Sequence, residues 1–196
     1  MKPEAPIPLP RDHIPPHLRR EIATLLIGEW QLRHRIERLA RRIERDHRNR
    51  DLVVVSLLTG TVMFIADLLR HLNLPLRLDF IGVSSYGSAT RPGELVYTKE
   101  LRLDVKGRDV LLVDDILDTG RTLEAVTKRL AALRPRSLRS CVLLDKPSRR
   151  ERDVRADYVG FEIPDEFVVG YGLDYAERYR NLPFIGVLKP GVYSEE

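Results

Sequence analysis

The run "LVVVSLL" at residues 52–58 is apolar almost from end to end and rich in β-branched side chains. A strand with one face in water alternates apolar and polar residues. A strand without that alternation is covered on both faces, as strands inside a parallel sheet are. The flanking segments agree. "VMFIADLLRHL" follows as a helix and "LRLDFIGVSSY" (76–86) as a strand; then come the strand "DVLLVDD" (109–115), the helix "TLEAVTKRLAAL" and the strand "SLRSCVLLDK" (137–146). Strands alternating with helices build βαβ units, so the expected fold class is α/β, a mostly parallel twisted sheet flanked by helices. Sheets of this kind bind ligands outside the carboxyl ends of their strands, near the point where the strand order reverses.

The 196 residues are one domain's worth, enough to hide roughly two thirds of the unfolded chain's surface. Pro3, Pro6, Pro8, Pro10, Pro15 and Pro16 place six of the 13 prolines in residues 1–20. That segment reads as an extended arm, on the surface or disordered, and residues 21–196 as a single domain. "ATLLI" (23–27) is a short strand. In "GEWQLRHRIERLARRIERDHRNR", Leu32, Ile36, Leu39 and Ile43 recur at helical spacing and form one buried stripe. Glu37 precedes Arg41 by four positions and Glu44 precedes Arg48 likewise, which supports an exposed helix face. This basic segment therefore reads as a solvated outer face rather than an RNA-binding helix. "GSATRPGELVYTKE" (87–100) is the longest polar stretch between expected strands, and long connections of this kind tend to be lids or binding loops.

No apolar run approaches the length of a membrane span, and "MKPEAPIPLPRDHIPP" lacks the apolar core of a secretory signal. The lone Cys141, inside "SCVLL", reads as a buried small hydrophobe. One thiol makes no internal disulfide, in agreement with a reducing cytoplasm. The formal charge is +4, carried mostly by arginine. Arginine's planar fork pairs with two oxygens at once, which suits phosphate, whether of a nucleic acid or of an anionic small substrate. Charge alone leaves both open.

Residues 110–123, "VLLVDDILDTGRTL", carry the chemistry. An apolar strand ends on Asp114 and Asp115, and Asp118 follows before "TGRT" opens a helix. Backbone N–H groups at a helix N-terminus face outward, where the dipole favours an anion. Gly120 lets the backbone approach closely, and Thr119 and Thr122 add hydroxyl donors. This is a phosphate cradle, though not a Walker loop, since GxxxxGK[ST] is absent. Asp114 and Asp115 suit a diol and Mg²⁺, and Asp118 can reach whatever the sugar carries.

These residues resemble the phosphoribosyl-pyrophosphate (PRPP) signature of type I phosphoribosyltransferases. "LLTGTVMFIADLL", "SSYGS", "LLDKPSRR" and "FEIPDEFVVGYGLDYAERYRNLPFIGVL" extend the resemblance to the 6-oxopurine branch, over about residues 24–188. The resemblance implies a type I fold with a small hood built from the N- and C-terminal segments. It implies that Asp114 and Asp115 meet the ribose hydroxyls and Mg²⁺, that Asp118 is the acid/base at purine N7, and that residues 118–122, including Arg121, hold the 5′-phosphate. Leu58, Thr59 and Gly60 resemble the pyrophosphate turn, which in the family carries a cis peptide. Ser85 and Tyr86 open a lid, Arg180 grips pyrophosphate, and Asp174 meets a second Mg²⁺ beside the purine. Ile116, Lys146, Phe167 and Val168 form the purine site. Lysine has only donors, so Lys146 suits the O6 acceptor of hypoxanthine or guanine and rejects the amino group of adenine. Many relatives have Lys where this chain has Thr59, which removes one cation near the pyrophosphate or an intersubunit contact.

The expected activity is purine salvage: 5-phosphoribose moves from PRPP to N9 of hypoxanthine or guanine, giving IMP or GMP and pyrophosphate, in a cytoplasmic homodimer or homotetramer. The alternatives are an RNA-binding, nucleotide-sensing regulator of the same fold and a pyrimidine transferase. Asp118 and Lys146 argue against both, and against nucleic acid as a partner. A haloacid-type phosphatase would want a DxD motif where this chain has "DDILD".

Overall fold

The computed structural model describes residues 2–10, 13–84 and 95–193. In chain order the elements are β1 (Ile22–Ile27), α1 (Glu29–Asp46), β2 (Leu52–Leu58), α2 (Val62–Arg70), β3 (Leu76–Ser84), β4 (Val96–Lys99), β5 (Asp109–Leu117), α3 (Arg121–Ala132), β6 (Ser137–Asp145), β7 (Tyr158–Glu162), β8 (Val168–Val169), β9 (Ile185–Leu188) and the short α4 (Pro190–Tyr193). Six strands form the main sheet in the order β4-β3-β2-β5-β6-β7. Its pairs are parallel except β3 with β4.

The lack of alternation in β2 has a direct cause. Leu52 and Val54 enter the core beneath α1 and α2, with Leu39 and Phe64. Val53, Val55 and Leu57 point the other way, toward Leu123, Val126 and Leu130 of α3. In β5, Leu111 and Val113 take the first side and Val110 and Leu112 the second. Both strands are sandwiched, so their middles are apolar, and the one polar residue inside β2, Ser56, is buried with its hydroxyl 2.8 Å from Thr61 Oγ1. From β2 the chain passes through α2 to β3 on one side, while β5 lies on the other. The strand order reverses between β2 and β5, and their carboxyl ends flank the crevice where such folds bind ligands.

A second sheet, β1-β9-β8, is antiparallel and caps the carboxyl end of the first. Its core includes Ile22, Leu25, Val169, Phe184 and Leu188. The proline-rich arm is docked along both sheets. Glu4 N–H donates to Gly160 O at 3.2 Å and Glu162 N–H donates to Glu4 O at 2.9 Å, extending the β7 edge. Leu9 N–H donates to Leu25 O at 2.9 Å, and Ile14 and Leu18 are buried in the small sheet's core. Apolar anchors spaced among the prolines, Leu9, Ile14 and Leu18, pin the arm against the small sheet.

Two differences from the sequence reading stand out. Residues 96–99, placed in the long polar connection, are strand β4, with Val83 opposite Tyr97. Arg35, on a helix face read as solvated, is buried at 1% exposure. Its guanidinium donates to Gly160 O at 2.6 Å, Val159 O at 2.9 Å and Lys2 O at 2.8 Å, and pairs with Glu4 at 2.9 Å. Among the described residues no helix is long and apolar enough to cross a membrane.

Candidate active site

The turn after β2 is built from hydroxyls and glycine. Ser56 Oγ and Thr61 Oγ1 lie 2.8 Å apart, Thr61 Oγ1 donates to Leu57 O, and Val62 N–H donates to Thr59 O at 3.1 Å. The Leu58–Thr59 peptide is cis, and Thr59 itself is exposed. A turn from the small sheet closes over this one. Gly172, at φ +100°, packs so near that a Cβ there would stand 2.0 Å from Gly60 O. Arg180 Nη1 donates to Gly172 O at 2.9 Å and pairs with Asp174 Oδ1 at 2.8 Å, while Nη2 pairs with Glu177 at 2.9 Å.

At the end of β5, Asp115 N–H donates to Asp114 Oδ1 at 3.0 Å and Ile116 N–H donates to Asp115 Oδ1 at 2.7 Å. Burial pushes both carboxyls above the usual range, and the charge of Asp115 pushes Asp114 further. Such a pair titrates as a unit, and its full ionisation calls for a cation or several donors beside it. Asp114, Asp115, Asp118, Thr119, Gly120 and Thr122 line a cleft of about 240 Å³, with Leu58 and Gly60 on its other wall. Gly120 caps α3 at φ +88°, a conformation glycine adopts without steric cost, and a Cβ there would stand 2.6 Å from Val154 Cγ1. The Arg121 side chain turns away to Glu151, at 2.7 Å through Nε and 2.6 Å through Nη2. Arg121 does not line the cleft, and its backbone N–H points to Thr119 Oγ1 at 3.4 Å.

A second cleft, of about 480 Å³, opens beside the first and is lined by Ile116, Asp118, Lys146, Phe167 and Val168 among others. Strand register brings these residues together. Leu117 pairs with Asp145, so the next residues out, Asp118 and Lys146, leave adjacent strands side by side. Lys146 N–H donates to Leu117 O at 3.0 Å. Lys146 is 6% exposed. Burial pulls its pKa below the usual lysine range, and the Asp118 and Asp165 carboxylates pull it back up. Asp118 Oδ1 is buried and takes no aligned hydrogen bond, although Arg149 Nε approaches it to 3.2 Å as an ion pair.

The structure thus gathers the residues expected in the cradle and the purine site, apart from Arg121 and Asp174, around two clefts that share Ile116 and Asp118. Arg180 lines neither cleft, but its charge opposes the upward shift of Asp115. Asp174 lines neither cleft and is occupied by Arg180 and by Glu177 N–H at 3.0 Å. Ser85 and Tyr86 lie outside the described residues, as does most of the expected lid. Sequence reading gave no role to Arg150, which donates to Leu117 O at 3.0 Å and to Asp118 O, and which pairs with Asp145. It also passed over Arg149 and Tyr193 at the second cleft. The arginines stand in "KPSRR" directly after Lys146; the tyrosine gave no local signal. A larger cavity, about 890 Å³, lies at the opposite, amino end of β2 and β3, among Arg50, Asp51, Leu76 and Arg77.

Comparison with known proteins bears on this arrangement. Residues 29–176 match the phosphoribosyl transferase domain family. The chain is 44% identical over 177 residues to a hypoxanthine-guanine phosphoribosyltransferase of Bacillus subtilis, covering 90% of this chain and 98% of that protein. It is 46% identical over 179 residues to the bifunctional protein TilS/HprT of Listeria monocytogenes; these are 91% of this chain but span only 28% of that longer protein. A crystal structure of a hypoxanthine phosphoribosyltransferase from Staphylococcus aureus superposes with a TM-score of 0.85 at 42% identity, covering 92% of this chain and 98% of that one.

Proposed function

The chain belongs to the phosphoribosyltransferase family, and from that premise we propose that it transfers 5-phosphoribose from PRPP to N9 of hypoxanthine or guanine, releasing pyrophosphate and leaving IMP or GMP. One observation carries the reading: Asp118 lines both the cradle and the cleft holding Lys146 and Phe167. A carboxylate shared by a phosphate site and an aromatic-walled pocket stands where a sugar phosphate would meet a base.

Each residue has a task under this reading. The backbone N–H groups of residues 119–122 receive the 5′-phosphate at the head of α3. Asp114 and Asp115 accept the ribose hydroxyls. The donor set also fits a divalent cation, because burial and mutual charge disfavour the two ionised carboxylates. Among the described residues no group of three or more His, Cys, Asp or Glu could hold a metal alone, so substrate oxygens would complete the set. Asp114 and Asp115 would hold Mg²⁺, which when bound offsets charge on the departing pyrophosphate. As N9 bonds to C1′ and the C1′–oxygen bond breaks, Asp118 takes the proton leaving N7, in the range of proton-transfer roles that carboxylates fill. Lys146 donates to O6, and a pocket built on such a contact rejects a base with a donor there by about 10⁴–10⁵. The buried, unpaired Cys141 accords with a cytoplasmic setting. Trp30, Val62 and Met63 are exposed apolar residues at the starts of α1 and α2, a surface suited to a homodimer or homotetramer.

The test is an initial-rate panel with PRPP, Mg²⁺ and hypoxanthine, guanine, xanthine, adenine and uracil. Turnover with 6-oxopurines and none with adenine or uracil is expected. A salt-dependent RNA complex with no turnover of any base would overturn the reading.

A further inference from the structure

Phe167 is held from more than one direction. Its backbone carbonyl accepts from Leu188 N–H at 2.8 Å, which fixes it where β8 joins the small sheet. The Tyr193 ring stacks on one face, with centroids 4.7 Å apart and planes at 20°. The Tyr175 ring meets it edge-on, at 5.7 Å and 88°. Phe167 is nonetheless 37% exposed, and it lines the second cleft together with Tyr193. Tyr193 is itself anchored. Val192 N–H donates to Lys189 O at 2.9 Å, Lys189 N–H donates to Glu21 O at 2.8 Å, and Lys189 Nζ donates to Arg19 O at 2.8 Å. Tyr193 and Tyr175 both pack against the core of the small sheet, so that sheet holds the aromatic stack in place.

We propose that Tyr193 is a positioning residue for the purine: it fixes the plane of Phe167 from behind, so that the base completes a three-layer stack with its O6 turned to Lys146. The inference rests on the transferase reading above and adds a residue to its base site. Offset-stacked rings favour parallel planes. A Phe167 ring free to tilt would meet the base in many orientations, and ordering it would be charged to base binding. The effect falls on base affinity and not on the sugar-phosphate cradle, whose residues Tyr193 does not join.

The test compares wild type with Tyr193→Ala, Tyr193→Leu and Tyr193→Phe in initial-rate kinetics with hypoxanthine and with guanine. Tyr193→Ala and Tyr193→Leu are expected to raise the KM for base about threefold to tenfold, the span set by the worth of one aromatic pair. The kcat and the KM for PRPP should stay within about twofold, as for a loss of uniform binding. Tyr193→Phe keeps the ring and should behave as wild type. Tyr193→Leu keeps apolar volume at the position and carries the test if Tyr193→Ala does not fold. A lower base KM in Tyr193→Ala would place the tyrosine ring in the base's own seat and overturn the proposal. So would a defect shared by Tyr193→Phe, or an equal rise in the KM for PRPP. Normal wild-type turnover with an unmoved base KM in both truncations overturns this inference alone; no turnover by wild type overturns the transferase reading and this inference with it.

Discussion

The backbone of Gly60 lies against the carboxylate of Asp115: a Cβ at Gly60 would stand 1.6 Å from Asp115 Oδ2 and 2.8 Å from its Cγ. Gly172 also packs against Gly60: a Cβ at Gly172 would stand 2.0 Å from Gly60 O. Gly60→Ala should displace the Asp115 carboxylate by something near an ångström. Displacements of that size cost about 10²-fold in rate. We expect kcat/KM to fall by that order, and wild-type kinetics in the variant would show that the turn yields.

Asp118 and Asp114 should separate binding from chemistry. Asp118→Asn keeps shape but is no base, so single-turnover rate with hypoxanthine should fall by about 10²–10⁴ while PRPP affinity by calorimetry changes little. Asp114→Asn should weaken PRPP binding instead. An Asp118→Asn enzyme that binds PRPP poorly yet turns over normally at saturation would make Asp118 a structural residue.

Lys146→Gln replaces a buried cationic donor with a neutral amide. A charge-assisted hydrogen bond contributes about 1.5–3 kcal/mol, so kcat/KM for hypoxanthine and guanine should fall by roughly 10- to 100-fold. Unchanged steady-state kinetics would remove Lys146 from the base site.

Two buried aspartates set the acid limit of stability. Asp109 is held at about 2, first by Arg136 and against the pull of burial, with Ser137 and Arg50 assisting. For Asp79, burial pushes the pKa up, but hydrogen bonds from Lys99, Leu103, Arg102 and Phe80 outweigh it and hold it at about 2. Both native values lie below the unfolded value, so the contribution is present above about pH 4 and is lost as pH falls toward about 2. Each is worth about 2–3 kcal/mol at neutral pH. Asp109→Asn should lower the urea midpoint at pH 7 and narrow its difference from wild type at pH 3. A constant difference across that range would contradict the assignment.

Arg35→Ala should destabilise the fold without touching the clefts. It removes the guanidinium donor from Gly160 O, Val159 O and Lys2 O, leaving Gly160 O only the Glu4 N–H, and loosens the arm from β7. A loss of about 3 kcal/mol is expected, read as a lower urea midpoint with kcat unchanged in the folded enzyme. An unaltered midpoint would mean that the arm and the Arg35 pocket contribute nothing.

Local pattern determined a good deal of this protein. The nearly unbroken apolar run at β2, with Ser56 its one polar residue, announced a strand covered on both faces, because a side-chain period of two leaves little room for polar residues when both faces are buried. "DDILDTGRT" announced acids at a strand end and a glycine-opened helix, because turn and cap preferences act over a few residues. Tertiary structure decided what those elements meet. Asp118 and Lys146 stand together because β5 and β6 pair with Leu117 opposite Asp145, and such a register depends on the whole packed sheet. Arg35 reads as one more cation on an amphipathic helix and is buried only because the β7 edge and the arm converge on it. Arg121 stands in the cradle's sequence, yet Glu151, far along the chain, draws its side chain away. Tyr193 carries no local signal, because its place beside Phe167 follows from the pairing of β8 with β9 and the anchoring of the last turn to β1. Short-range sterics and periodicity are written in neighbouring residues; contacts between distant segments are chosen by the packing of the whole chain, which no short stretch encodes.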